Sequence, residues 1–191
     1  MRASDIAKHP VVTYAGEDVA QLKDIVFSAG GGAVGGFTLA GRGRFSGPLK
    51  QGLLWTSVAA LGADAVMIVD DSVLEPTQNV LDAAATSGGS GGDVLGSQVL
   101  TDTGIDLGRV IDVVLQIGEP GEQCDVVGYE IEASEAMKTK GAKLLIPLPD
   151  TLAASGEHLM VPAAAQDFVA DDLSGFGAAV TAFRAKFEGA S

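Results

Sequence analysis

Short runs of alternating hydrophobic and polar residues cover most of the chain, and this pattern predicts β-strands with one buried face. Polar, glycine-rich turns separate the runs. Several such strands in each half of the chain favour a small closed barrel, because closure leaves no exposed strand edge. The predicted strands lie near 11–13, 19–27, 36–39, 53–55 and 65–69 in the first half, and near 99–101, 110–115, 126–131, 144–146 and 159–161 in the second.

The pattern of the first half returns about 90 residues later in the second half. The segment 11–27 aligns with the segment 99–115 at a single offset, without a gap. A repeat of this length predicts two copies of one small domain. In both copies a glycine stands in the first turn, where a positive φ is required. The identical pairs are Val11 and Val99, Thr13 and Thr101, Gly16 and Gly104, Asp18 and Asp106, Asp24 and Asp112, and Val26 and Val114.

The predicted fold class is all-β with minor α: two small β-barrels in tandem and a C-terminal amphipathic helix. The first barrel is expected at 1–76 and the second at 93–170, with a short helix and a Gly/Ser tether at 77–92 between them. In the C-terminal segment 171–191, apolar residues at spacings of three and four share one helix face. We expect that face to pack on a barrel, and docking of a partner is the alternative. Its residues are Phe176, Val180, Phe183 and Phe187.

Four motifs of the second copy resemble the PRC-barrel, a domain named after the H subunit of the photosynthetic reaction centre and also found in a ribosome-maturation factor. They are a Thr-x-x-Gly turn, a Leu-Gly-x-Val strand, a Val-Gly-Tyr hairpin and an Ile-Pro-Leu strand end, at 101–104, 107–114, 127–129 and 146–148. The first copy departs from this pattern at Val19-Ala20 and at Trp55-Thr56. The resemblance implies two PRC-type barrels and a family of adaptors and assembly domains. It brings no catalytic residue to this chain.

The formal net charge of −13 and the pI near 4.3 argue against direct nucleic-acid binding, because phosphate repels an acidic surface. A single cysteine excludes an internal disulfide and fits a reducing compartment. The first residues lack the apolar core of a secretion signal, and no apolar run reaches the roughly 18 residues of a membrane span. We therefore expect a cytoplasmic protein without a membrane span.

Two glycine-rich segments match the sequence patterns of known functional sites, one of a cofactor-binding turn and one of a catalytic serine. Residues 30–35 satisfy the G-x-G-x-x-G pattern of a dinucleotide-binding turn, but the residues after them do not favour the helix whose N-terminus would bind pyrophosphate. Residues 88–92 satisfy the G-x-S-x-G pattern of an esterase nucleophile, but a glycine tether supplies neither the strand nor the helix around the serine. We expect neither motif to be functional, and we expect no cofactor.

Other candidate chemistry is sparse. Cys124, His9 and His158 are too few for a metal site with ordinary ligand spacing. A Cys–His catalytic pair would require Cys124 and His158 to meet in space, whereas a buried thiol and a loop histidine are the simpler interpretation. The pairs Asp70-Asp71 and Asp171-Asp172 each follow the last strand of a copy. Helix N-capping or a place in solvated turns is their expected role, and hard-cation binding is the alternative.

Half of the twelve basic residues lie in one equivalent loop region of the two copies. If the barrels pack about a pseudo-twofold axis, these loops would form a cationic face for an acidic partner or an anion. The alternative is that long charged side chains simply occupy solvated loops. The candidate partner-binding residues are Arg42, Arg44, Lys50, Lys138, Lys140 and Lys143.

These features favour a non-catalytic binding and assembly module that holds another protein through barrel faces and hairpin loops. We expect the two barrels to pair within the chain, as separate copies of such a domain would pair between chains, and a homodimer of the chain is a second arrangement left open. A ribosome- or RNA-assembly factor that acts through a ribosomal protein is one alternative. A small-ligand binder is the second, and it would require a deep pocket with convergent polar groups.

Overall fold

The computed structural model describes residues 1–28, 32–42, 47–86, 94–118, 123–137, 140–148 and 157–188. Residues 30–31 of the first glycine motif and all of 88–92 lie outside this part of the chain. The chain divides into two compact units. The N-terminal unit comprises Arg2–Gly89 and Gln116–Asp125, and the C-terminal unit comprises Met1, Ser90–Leu115 and Val126–Ser191. The domain boundaries expected from the repeat stay a prediction.

Seven strands form the first sheet: β1 (Pro10–Thr13), β2 (Asp18–Phe27), β3 (Val34–Ala40), β4 (Pro48–Leu54), β5 (Ala60–Leu61), β6 (Val66–Ile68) and β7 (Glu75–Pro76). Their order across the sheet is β5-β6-β1-β2-β3-β4-β7. β1 and β6 run parallel, and the other neighbouring strands are antiparallel. A short helix, α1 (Ala3–Ile6), precedes β1, and a longer one, α2 (Thr77–Thr86), follows β7.

Five strands form the second sheet: β8 (Gln98–Thr101), β9 (Asp106–Ile117), β10 (Cys124–Ala133), β11 (Lys143–Pro147) and β12 (His158–Val161). Their order is β11-β10-β9-β8-β12, and a C-terminal helix, α3 (Leu173–Glu188), follows. The predicted fold class, mostly β with a C-terminal helix, is therefore confirmed. No helix in the described residues is both long and apolar enough to cross a membrane.

The two sheets share one strand arrangement. In both, the first strand of the copy pairs antiparallel with the second and parallel with a later strand, β6 or β12. Pro10 faces Gln21 in the first hairpin, and the equivalent residues Gln98 and Arg109 face each other in the second. Both hairpin ladders are also interrupted by a register shift after the second residue of the first strand. The repeat in the sequence thus corresponds to the same strand register in the β1–β2 hairpin and in the β8–β9 hairpin.

The first turn has the same hydrogen bonds in both copies. Thr13 is buried, its carbonyl accepts from the Gly16 N–H (2.9 Å), and its Oγ1 accepts from the next N–H (3.1 Å). Thr101 accepts the equivalent bonds around Gly104, at 2.8 and 2.9 Å. Gly16 and Gly104 have φ values of 84° and 81°, a region that glycine adopts without steric strain. The predicted role of these glycines is confirmed.

α2 packs on the first sheet at a place where glycines leave room for it. Gly36 on β3 and Gly52 on β4 lie against Val80, which is fully buried in the helix. A Cβ at Gly36 would come within 2.7 Å of a Val80 methyl group, and one at Gly52 within 2.9 Å. Larger residues at these positions would therefore displace the helix, because the interior has no spare volume.

α3 packs on the second sheet through the apolar face that its spacing predicts. Phe176, Val180 and Phe183 are buried, while the side chain of Phe187 lies outside the described part. Phe176 lies over Gly128 of β10, where a Cβ would be 2.4 Å from the phenyl ring. The prediction that this face packs on a sheet is confirmed.

The residue two positions before β1, Lys8, has a left-handed backbone, and the cost of this conformation can be tested. Lys8 has a φ of 71°, whereas the second copy has a glycine, Gly96, with a φ of 84° at the equivalent position. Left-handed backbone costs a residue with a Cβ about 1 to 2 kcal/mol. We expect Gly96→Lys to lower the free energy of unfolding by about 1 kcal/mol, and Lys8→Gly to leave it equal or slightly higher. Denaturant titration measures both, and a loss of stability in Lys8→Gly would contradict the argument.

Candidate functional site

The first basic loop follows β3. Arg42 lies two residues after the end of the strand, and its guanidinium forms a 2.6 Å ion pair with the carboxylate of Asp18 at the start of β2. Lys50 is exposed on β4, and Arg44 lies outside the described residues. The Arg42–Asp18 pair is partly exposed, so solvent screens it and its contribution to stability is small. It nevertheless balances one of the loop's positive charges.

The second basic loop joins β10 to β11. Lys140 forms an ion pair with Glu135 in the same loop. Lys143, the first residue of β11, places its Nζ 3.8 Å from the carboxylate of Glu130, whose side chain is only 3% exposed. Lys143 thus gives this buried carboxylate a cationic partner from the neighbouring strand of the β10–β11 hairpin. Lys138 lies outside the described residues.

The ion pairs of these basic residues reduce the positive charge that the two loops present to a partner. Arg42, Lys140 and Lys143 each lie beside a carboxylate of their own unit. The field of an ion pair falls off faster than that of a single charge, so long-range attraction of an anion is weakened. Each loop is therefore a candidate surface by itself, and the joint cationic face stays a prediction.

The acidic pairs provide caps for the elements that follow them. Oδ1 of Asp70 accepts hydrogen bonds from the hydroxyl and the N–H (2.9 Å) of Ser72. Oδ1 of Asp172 accepts from the Ser174 hydroxyl (2.6 Å) and from the Gly175 N–H (2.8 Å). These bonds lower the pKa of both carboxyl groups below the ordinary aspartate value. The predicted capping role is confirmed for Asp70 and Asp172, and the described residues contain no cluster of three metal-ligating acidic, histidine or cysteine side chains.

The lone thiol is placed in the protein interior. Cys124, the first residue of β10, is fully buried, and this burial, with the nearby charge of Asp125, raises the pKa of its thiol to about 12. The reactive form of cysteine is the thiolate, which is scarce at neutral pH when the pKa is this high. His158 lies within β12 rather than in a loop. The structure thus favours a buried structural thiol over a Cys–His catalytic pair.

The ionisation of Cys124 can be measured directly. We expect a thiol reagent to leave the folded protein unlabelled at about pH 8 and to label it fully after unfolding. Because the folded pKa of about 12 exceeds the ordinary value of 9.0, the neutral thiol contributes stability that is fully present below about pH 9 and is lost as the pH rises toward 12. Cys124→Ala, the control, should lack this alkaline component. Rapid labelling of the native protein would contradict the assignment.

A surface that the sequence analysis did not single out lies at one end of the first sheet. Val12 on β1 pairs with Met67 on β6, and both are half-buried on the face opposite to the buried residues of those strands. Just beyond the strand ends, Tyr14 and Val69 are 65% and 54% exposed. The Tyr14 N–H donates to the carbonyl of Ile68 (3.0 Å) and lies 3.4 Å from that of Val69. We call the side chains of Val12, Tyr14, Met67 and Val69 the Tyr14 surface.

Sequence comparison adds one family to these observations. Residues 1–75 match the family model of the PRC-barrel domain. The matched copy is the one whose motifs depart further from the family pattern, yet its first turn and hairpin register equal those of the second copy. A comparison with curated proteins finds no significant match.

Proposed function

We propose that this protein, whose residues 1–75 match the family model of the PRC-barrel domain, is a non-catalytic binding and assembly module that holds another protein. The second sheet repeats the hairpin register of the first, and this supports the proposal that the chain is a tandem of two such barrels. The observation that carries the proposal is the Tyr14 surface, where the exposed Tyr14 and Val69 follow the half-buried Val12 and Met67, since exposed apolar side chains grouped on a folded domain are typical of contact sites. The net charge of −13 and the single cysteine support a cytoplasmic setting without direct nucleic-acid contact.

The interior of the molecule also supports a role in binding rather than catalysis. Among the described residues, the largest fully buried side chains are aliphatic or aromatic, and they occur in both units. The only thiol is protonated at neutral pH because burial raises its pKa to about 12. A module built in this way acts through its surface, with the interior serving to hold that surface in shape.

Crosslinking in native cells tests this proposal. The chain is expressed with an affinity tag, crosslinked in the cell, purified with and without nuclease, and its crosslinked peptides are identified by mass spectrometry. We expect the same protein partner in both preparations, because direct protein contact survives the removal of RNA. Loss of the partner after nuclease treatment would favour the RNA-assembly alternative. A ribosomal protein recovered in both preparations would favour ribosome assembly through that protein, and no partner would contradict the proposal.

The basic loops are a separate proposed contact, and charge reversal tests them. We expect Arg42→Glu with Arg44→Glu, and Lys138→Glu with Lys140→Glu, each to reduce the recovery of an acidic partner, because opposite charges at a rim accelerate association. Lys23→Glu with Lys186→Glu changes the net charge equally, outside these loops, and is the control. Unchanged recovery in both loop variants would exclude the cationic loops as the contact.

A further inference from the structure

The Tyr14 surface is bordered by exposed acidic residues. Glu17 lies in the same turn as Tyr14, and its carbonyl accepts the Thr13 N–H at 2.9 Å. Asp70 and Asp71 follow Val69 directly along the chain. All three carboxylates belong to exposed residues, and the low pKa of Asp70 keeps it ionised well into the acid range. Asp18, the first residue of β2, is already paired with Arg42.

In the described residues of the second copy the backbone follows the same path, but no aromatic side chain stands at the equivalent point. Asp102 stands in place of Tyr14, and its N–H donates to the Val161 carbonyl at 2.9 Å. Its carboxylate then accepts the N–H of Ala163 at 2.9 Å, which caps the 3-10 helix at Ala163–Phe168. The turn of the second copy is therefore completed by a polar contact within its own unit. The first copy presents an aromatic ring to solvent at the same point.

An exposed tyrosine such as Tyr14 is a common anchor in protein interfaces, because its ring offers a large contact area at low entropic cost. The acidic border selects the partner by charge, since carboxylates at a rim attract cations and repel other acidic chains. We infer that the Tyr14 surface binds a basic protein segment that carries apolar side chains among its lysines and arginines. This inference rests on the proposed function and names the surface and the partner chemistry for it.

Selection from a library of random linear peptides displayed on phage tests the inference on the full-length chain. Binders are sequenced, resynthesised and titrated against the wild-type protein and two surface variants, Tyr14→Asp and Val69→Asp. Because both residues are exposed, the variants should keep the circular dichroism spectrum of the wild type. The matched control is Ile105→Asp, which changes an exposed apolar residue (42%) in the equivalent turn of the second copy.

We expect binders rich in lysine or arginine together with apolar residues, whose affinity falls at least about tenfold in Tyr14→Asp and is unchanged in Ile105→Asp. Reversing the border with Glu17→Lys and Asp71→Lys should weaken binding and reduce its salt dependence. The same reversal at Glu132 and Glu157, exposed acidic residues of the second copy, should do neither.

Peptides that bind Tyr14→Asp and Val69→Asp as tightly as the wild type would overturn the inference while leaving the proposed function intact, since they would mark another surface. Acidic or uncharged peptides that depend on Tyr14 would overturn the choice of a basic partner. A library without any binder would also contradict the inference. In that case the crosslinking experiment still decides whether the chain binds a protein at all.

Discussion

Replacing Phe176 with alanine should destabilise the C-terminal unit by about 3 to 5 kcal/mol, the usual cost of removing a buried phenylalanine. Phe176 is 2% exposed and packs with Val114, Val127, Leu145 and Val180 in one apolar cluster. The loss combines the transfer energy of the ring with the cavity that remains, because the β-sheet below it cannot collapse into the space.

Hydrogen exchange measured residue by residue is the appropriate readout for Phe176→Ala, because a chain with two compact units need not unfold in one step. Amides of β9, β10 and β11 should exchange faster in the variant. Thr181→Ala, at an exposed position of the same helix, is the control and should change stability by less than about 0.5 kcal/mol. If both variants behaved alike, α3 would not be anchored by its aromatic face.

Gly108→Ala should cost about 3 kcal/mol, although it adds only one methyl group. Gly108 has a φ of 141°, a region closed to residues with a Cβ, and a Cβ built there would lie 2.2 Å from the carbonyl oxygen of Glu132. Backbone strain and steric overlap therefore act together, each contributing roughly 1 to 3 kcal/mol. The first copy carries Ala20 at this position, so the two hairpins meet different local constraints within the same register.

The control variant Gly104→Ala separates the cost of backbone strain from the cost of steric overlap at the added Cβ. Gly104 also has a positive φ, 81°, but a Cβ at that position would meet no atom within 4 Å. Gly104→Ala should therefore cost only about 1 to 2 kcal/mol, from the backbone term alone. Equal losses in the two variants, measured by denaturant titration and by exchange of the β9 amides, would show that the contact with Glu132 is unimportant.

Much of the fold could be predicted because it rests on local physics. Alternation places Val11 and Thr13 in the interior and Val12 on the other face of β1. A glycine three residues after a threonine predicts the first turn of each copy, and its hydrogen bonds involve only neighbours in the chain. The apolar stripe of α3 likewise follows from the helical repeat. The duplication strengthens each of these predictions, because each copy supports the other.

Other features depend on residues that are distant in the sequence. The parallel pairing of β1 with β6 joins Val11 to Val66, and no local pattern names that partner. Gly36 and Gly128 resemble ordinary strand glycines until a helix is placed on them. The basic loops resemble a cationic face until the carboxylates beside Arg42 and Lys143 are seen.

By itself, the sequence determined the strand pattern, the turn chemistry, the duplicated register and the apolar face of the last helix, because each depends on backbone and side-chain preferences within a few residues. Only the tertiary structure decided which strands are neighbours, which glycines lie under helices, which charges are paired and that Tyr14 is exposed. Those outcomes arise from packing between distant segments, where burial and electrostatic energy depend on the position of every neighbour.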